Sequence, residues 1–598
     1  MEYYAFQLRE NHFSIMNRVQ LFKSILTVFS FILYVFTGTA ALAKEKTALL
    51  FIPLDNRPVC FSYPVKVMEA AGYKIYTPPE NLLANRTSAA DTEKLWKWLE
   101  SRAEKVDAAV ISTDALIYGG LVASRTHSLT MANLEARVKR LRDLQVDKDT
   151  RFYGFSTLMR TPRESYGNVE PEYYSNVGPA IYRYSQLSDK SDLHAETLLE
   201  DFEVGAFERN LAKDHLKDWL DRRNKNMAIN HQLAMLTRVG RFDYFAIGKD
   251  DNAPLSHTHM EARKISLNNA YLSDESFQIL PGVDQLGLLM LTRAVNDLEN
   301  RTPAVCPLYV EGVGPKTIPQ YSDMPLGKSV PEQIVAAGGK IVYSPDAADV
   351  VLAINTPADG TMYDSTNLSN QYYASPANKR YIVNLGKMLE KGANVSLADV
   401  AFSNGGDNGF MNEMSLRGFT DKLSAYNGWN TADNTVGFAI AQGMLAPRIA
   451  KEKQLMLMRE RILDDWYYQS NARRLITDEL EKNKKSAYKY TLNEMMPKIK
   501  KQALDIISRL AVNYDITAGT KFDVVFPWNR LFEVDIVKLQ QDKNKFRSRS
   551  RSAKGMLPDV PCIRNEQDTA QEFIKRRAGL CWILFLNRAL RVSALLLS

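Results

Sequence analysis

Short apolar runs that end abruptly in Asp, Asn, Arg and Gly set the rhythm of this chain. TALLFIP leads into PLDNRP (53–58), DAAVIS into STDALIYGGLVASR (112–125) and FDYFAI into GKDDNAP (248–254). NVSLADVAF overlaps a fourth cluster, LADVAFSNGGD (397–407), and YNGWNTADNTVG (426–437) follows as a fifth. Further strand-like runs lie at 74–77, 152–157, 276–282, 305–312, 340–343 and 349–355. Between them the apolar spacing turns helical. Leu95, Trp98, Leu99 and Arg102 share a face over 91–104, and Leu134, Val138, Leu141 and Leu144 do so after Thr130. Helices are also predicted over 63–71 and 206–239, and the polar, tyrosine-rich stretch 161–191 reads as a long loop.

This alternation predicts an α/β fold with mostly parallel sheets flanked by helices, since parallel strands need helical crossovers that cover both faces. Two Rossmann-like halves, 44–300 and 301–445, are expected, with a barrel-like closure as the alternative. A charged helical region over 446–540 follows, in which DVVFPWNRLFEV (523–534) reads as a strand returning to the sheet. Residues 541–598 form a basic, Arg/Ser-rich tail expected to be disordered.

At 598 residues the chain exceeds what one hydrophobic core usually supports, which agrees with several domains. Its formal charge of +7 equals the excess of Lys and Arg over Asp and Glu after residue 540. The body is therefore neutral and lacks the clustered basic face that nucleic-acid binding requires. Of the four cysteines, Cys60 and Cys306 lie in the body, too few for a disulfide framework or a zinc site. Two buried free thiols are expected there, a bridge being the alternative. At the N-terminus, Arg18 and Lys23 precede SILTVFSFILYVFTG, and Ala41-Leu42-Ala43 follows. That order predicts a secretory signal peptide over 1–43. An uncleaved membrane anchor is the alternative, and the only membrane contact expected. Either reading places the body outside the cytoplasm.

The chemistry is expected where the strands end, because ligands of open parallel sheets bind beyond the carboxyl ends of the strands. Asp55 and Arg57 project to one side and Asn56 to the other. A carboxylate and a forked guanidinium can orient a polar substrate, or simply close the turn as an ion pair. Asp114 follows the next strand and serves either the site or a helix cap. Gly119 and Gly120 then allow close backbone approach, and Arg125 is a substrate-binding candidate. Asp250 and Asp251 face opposite ways in an extended backbone. If both reached the site, their repulsion would split them into an acid and a base. Thr258 to Glu261 fits a capping box, so Glu261 reads as structural. His257 and His259 beside Asp250 give only a weak metal signal, and no metal or cofactor is predicted. Asn404, Asp407, Trp429, Asn430 and Asn434 read as binding walls, because amides beside an aromatic face suit sugar hydroxyls and apolar sugar faces. No G-x-S-x-G, P-loop, H-E-x-x-H or G-x-G-x-x-G motif is present.

PLDNRPVC, DALIYGGLVASR, GKDDNAP, ADVAFSNGGD, AYNGWNTADNTVG and FPWNRLFEV, in this order, resemble the bacterial domain-of-unknown-function 4127 family, over roughly residues 46–539. The resemblance implies an exported protein and no particular reaction. Where members tend to carry Gly-Ala-Asp-Glu, this chain has Gly282-Val283-Asp284-Gln285. The residues lead to an expected exported hydrolase acting on a glycan or other polyhydroxylated small molecule. Its acid, base or nucleophile would come from Asp55, Asp114, Asp250 and Asp251, and Asn56, Arg57 and Arg125 would hold the substrate. A metal-dependent hydrolase and a non-catalytic extracytoplasmic binding protein are the alternatives.

Overall fold

The computed structural model describes residues 47–541, apart from 148, 166–167 and 211–212. The N-terminal apolar segment and the basic tail lie outside the described residues. Six strands build the first sheet: β1 (Ala48–Ile52), β2 (Lys74–Tyr76), β3 (Ala108–Ser112), β4 (Arg151–Leu158), β5 (Tyr244–Lys249) and β6 (Phe277–Pro281). All pair in parallel, in the order β2-β1-β3-β4-β5-β6. The second half adds β7 (Ala304–Tyr309), β8 (Lys340–Ile341), β9 (Val350–Asn355), β10 (Tyr363–Asp364), β11 (Val395–Asp399), β12 (Phe402–Ser403) and β13 (Ala425–Asn427). Five of these form a second parallel sheet, β13-β11-β9-β7-β8, and β10 pairs with β12 in a small ribbon. Counted from β7, the second sheet repeats the winding order of the first. Each is an open, doubly wound sheet, so two α/β halves stand in place of a closed barrel.

The apolar runs become the central strands because they are buried on both faces. Every residue of β3, β9 and β11 is buried, whereas the edge strands β2 and β8 are short and partly exposed. Helices Leu286–Leu298, Leu326–Ala336 and Ala432–Leu445 join the sheets through one continuous core. That core contains Leu49, Phe51 and Val110 from the first half and Leu352, Ile354 and Ala398 from the second. The helix Ala432–Leu445 is buried all round, as an apolar helix between two layers must be. Cys60 and Cys306 are buried free thiols. Among the described residues no helix is long and apolar enough to cross a membrane.

Three expectations are corrected. The stretch read as a loop over 161–191 contains the helix Tyr174–Asp192, whose Tyr174, Ile181 and Tyr184 pack on Leu216 and Trp219 as a satellite core. The helical spacing of those three was hidden among polar neighbours. Helix already begins at Leu198, ahead of the expected 206–239, and is described over Leu198–Asn210 and Lys213–Arg238. The segment 523–534 does not return to either large sheet. Thr520–Val525 (β14) pairs antiparallel with Asp535–Gln541 (β15) as a separate hairpin. Pro527 and the left-handed Asn529 (φ 51°) interrupt the apolar run. The charged C-terminal region is helical as expected. It includes the wider, π-type winding Ile462–Ala472, whose Ile462 and Trp466 pack into a core with Val351 and Leu397.

Candidate functional site

A cleft of about 470 Å³ opens where the carboxyl ends of the first sheet meet the loops of the second half and the β14–β15 connection. Its wall from the first half begins after β1. Asp55 accepts the Arg57 backbone N–H at 3.0 Å and so turns the chain back on itself. The Arg57 guanidinium is then held from two sides. Its Nε donates to Asp55 at 3.0 Å, and its Nη2 donates to Asp284 Oδ1 at 2.6 Å. The Trp528 ring lies 5.0 Å from the guanidinium carbon. Asn56 points away, accepting the Trp528 indole N–H at 2.9 Å. Gly120 (φ 113°) lets the next loop close on this one, since a Cβ there would sit 2.4 Å from Ala84 Cβ and 3.2 Å from the Leu54 carbonyl oxygen.

Beyond β5 the charges form a chain that is buried at Asp250, Arg125 and Glu170 and partly exposed at Arg160 and Asp251. Asp250 accepts Arg125 Nε at 3.0 Å, Arg125 Nη1 lies 3.6 Å from Glu170, Glu170 accepts Arg160 Nε at 2.7 Å, and Arg160 Nη1 donates to Asp251 at 2.7 Å. Signs alternate along the chain until it closes, where Asp251 follows Asp250 and two carboxylates stand side by side. Burial pushes the Asp250 carboxyl above its ordinary range; Arg125 opposes this and Asp251 adds to it. Lys249, the last residue of β5, pairs with Asp323 at 2.5 Å with both side chains only 3% exposed.

The opposite wall belongs to the second half. Asn404 donates to Asp364 at 2.8 Å, and its backbone N–H reaches the Asn430 carbonyl at 2.7 Å. Asn430 donates to Asp284 at 3.2 Å, while Asn434 Oδ1 accepts the Val283 and Asp284 backbone N–H groups at 3.1 and 3.2 Å. The Asn430–Asn434 loop thus clips onto the loop after β6, and the Asn404 loop clips onto the Asn430 loop, both facing the cleft. Asn404 and Asn430 adopt left-handed backbones (φ 61° and 60°), which Asn tolerates better than most residues. Burial raises the Asp364 carboxyl, but Arg473 and hydrogen bonds from Thr366 and Asn404 more than offset it, leaving the group below its ordinary range.

The structure therefore brings Arg57, Arg125, Asp250, Asp251, Asn404, Asn430 and Asn434 to one cleft. It places five other candidates behind its walls. Asp55 is spent on Arg57, and Asn56 on Trp528. Asp114 is fully buried beside Thr157, and burial pushes its carboxyl up to about 7. Asp407 caps the helix Asn408–Leu416 by accepting the Gly409 and Phe410 N–H groups. Trp429 is buried and packs against Phe532, 5.3 Å between ring centres; Phe532 itself faces the cleft. Glu261 is structural by another route than a capping box. Ser256 caps that helix, and Glu261 pairs with Arg223 at 2.7 Å. His257 packs on Trp219, and His259 pairs with Asp189, so neither meets Asp250. Among the described residues no group of three or more His, Cys, Asp or Glu is placed to hold a metal ion.

The cleft also holds residues that the strand-end pattern left out, notably Arg160, Tyr321, Asp364, Arg473, Trp528 and Arg530. Arg160 stands two residues after β4 and Asp284 three after β6, so the strand-end argument applied to every strand finds both. Asp364 and Arg473 follow no comparable signal.

The chain belongs to the family described as Protein of unknown function (DUF4127), whose model matches residues 49–537. That span includes all six ordered motifs. No curated protein and no solved structure matches the chain.

Proposed function

We propose that this protein is an exported hydrolase whose cleft takes a neutral, polyhydroxylated substrate, a glycan in the simplest case. One observation carries the choice of substrate. Each guanidinium lining the cleft already has a carboxylate: Arg57 with Asp55 and Asp284, Arg125 with Asp250, Arg160 with Glu170 and Asp251, Arg473 with Asp364, and Arg530 with Glu533. Charges neutralised in this way offer no excess positive field to an anion. Their remaining N–H groups and lone pairs match hydroxyls, which both donate and accept.

Two carboxyls on opposite walls are biased in opposite directions, the pattern that separates an acid from a base. Asp250, raised by burial, is assigned as the proton donor. Asp364, held ionised by Arg473, is assigned as the base. Asp55 and Asp114 become supporting residues in this assignment. The test is hydrolysis of a panel of neutral oligosaccharides by the protein and its Asp250→Asn and Asp364→Asn variants, with binding followed by calorimetry. Turnover should fall by at least ~100-fold, the usual worth of a general acid or base, while binding persists. Unchanged turnover in both variants refutes the assignment.

The Arg125 fork on Asp250 favours a second reading, a binding protein without turnover, because a carboxylate fixed by a guanidinium gives up its role as a proton donor. Binding by the wild-type protein with no product from any member of the panel selects that reading. Export is supported by the order of Arg18, Lys23, the apolar run and Ala41-Leu42-Ala43. N-terminal sequencing of the secreted protein should begin near Lys44.

A further inference from the structure

Tyr321 stands in the second half, in the loop between β7 and the helix Leu326–Ala336, with a left-handed backbone, φ 65°. For a bulky residue this conformation is a genuine outlier, and it persists only where the surroundings overdetermine it. They do so here from both halves. The Tyr321 carbonyl accepts the Asn252 N–H at 3.0 Å. Two residues on, Asp323 is locked to Lys249. On the other side Ser403 of β12 donates to Gln320 at 2.8 Å. These anchors put the ring on the cleft, with Asp251 and Arg160 near it on one wall and Asp364 and Arg473 near it on the other.

The other aromatic rings of the cleft are already covered. Arg57 and Arg530 lie over Trp528 at 5.0 and 5.1 Å, and Arg473 and Arg530 lie over Phe532 at 5.6 Å each. Lys489 lies over Tyr490 at 5.6 Å. Among the described residues no ring or cation covers Tyr321, which is 44% exposed.

We propose that Tyr321 is the specificity-determining platform of the cleft, on whose free face one sugar ring of an oligosaccharide stacks while its hydroxyls reach Asp251 and Asp364. A sugar ring fits this face because it pairs an apolar C–H side with a polar rim, and the platform is an aromatic face between two polar walls. Other aromatic faces are blocked by cations, so the face of Tyr321 is where a ring can add contact without displacing an ion pair. The proposal rests on the polyhydroxylated-substrate reading, and binding tests it independently of hydrolysis.

The experiment measures calorimetric affinity of the wild-type protein, Tyr321→Gly and Tyr321→Phe for neutral malto-, cello-, xylo- and chito-oligosaccharides of one to six rings, with the melting temperature of each variant. Glycine accepts the left-handed backbone, so Tyr321→Gly should keep or raise the melting temperature. It should bind the best oligosaccharide about three- to tenfold more weakly, the worth of one aromatic contact. Tyr321→Phe, which keeps the ring, should restore the affinity. Undiminished affinity in Tyr321→Gly overturns the platform while leaving the substrate reading intact. A loss of affinity that comes with a lowered melting temperature and is not restored by Tyr321→Phe overturns it in favour of a scaffold role. If none of the sugars binds the wild-type protein, both readings fall.

Discussion

Replacing Arg57 by Met tests whether the first wall of the cleft is held by charge. Met fills much of the space of the aliphatic stem but leaves Asp55 and Asp284 without the cation between them. Both carboxylates are buried, 1% and 3% exposed. Removing one partner of a buried pair costs about 3–5 kcal/mol, because the remaining charge is stranded away from water. Lost contact with the Trp528 face adds about 0.5–2 kcal/mol. The two sheets share one core, so a single unfolding transition is expected. With roughly 2 cal/mol/K of unfolding entropy per residue, the described body has about 1 kcal/mol/K in total. Each kcal/mol therefore moves the midpoint by about 1 °C, and the variant should melt roughly 3–7 °C lower in differential scanning calorimetry. Adding Asp284→Asn to Arg57→Met removes one stranded charge and should recover part of the loss. A single variant less than about 1 kcal/mol weaker, or a double variant no better than the single, refutes the reasoning, because it would mean that solvent already screens the site.

Lys249→Met should likewise cost about 3–5 kcal/mol by stranding Asp323, and Asp323→Leu in the same background should restore much of the melting temperature. Burial pushes Asp399 up to about 8, and neighbouring Asp407 adds to the shift. The folded protein therefore keeps a proton that the unfolded chain releases near pH 4, and stability should fall as pH rises from about 4 to about 8. Asp399→Asn should flatten that slope in urea titrations; parallel curves for the two proteins would exclude a protonated Asp399. Affinity for a neutral oligosaccharide should change less than about twofold between about 0.05 and 0.5 M NaCl, since no net charge is screened. A tenfold loss would point to an ionic ligand instead.

How much of this was legible in the sequence follows from what a strand end does and does not specify. The apolar runs of β1, β3, β5 and β11 are buried on both faces, so their ends are sharp and the polar clusters after them are visible. Both sheets wind in the same order, and their loops face one gap. That is why Arg57, Arg125, Asp250, Asn404, Asn430 and Asn434, scattered from residue 57 to residue 434, meet there. A strand end does not specify the direction of a side chain. Asp55 bends back onto its own Arg57, and Asp114 enters the first turn of a short helix that carries it behind the wall. Nor does it reveal partners that belong to no strand. Arg473 comes from the helix after the π-type turn, and Trp528 and Arg530 come from the link between β14 and β15. These late residues complete the cleft: Arg473 pairs with Asp364, and Trp528 packs on Arg57 and bonds Asn56. The strand-end clusters therefore set where the cleft lies and carry most of its charge pairs, whereas the C-terminal part of the chain adds the Arg473–Asp364 and Arg530–Glu533 pairs and the Trp528 ring. Variants of Trp528 and Arg473 should accordingly alter ligand preference more than fold, whereas variants of Arg57 alter both.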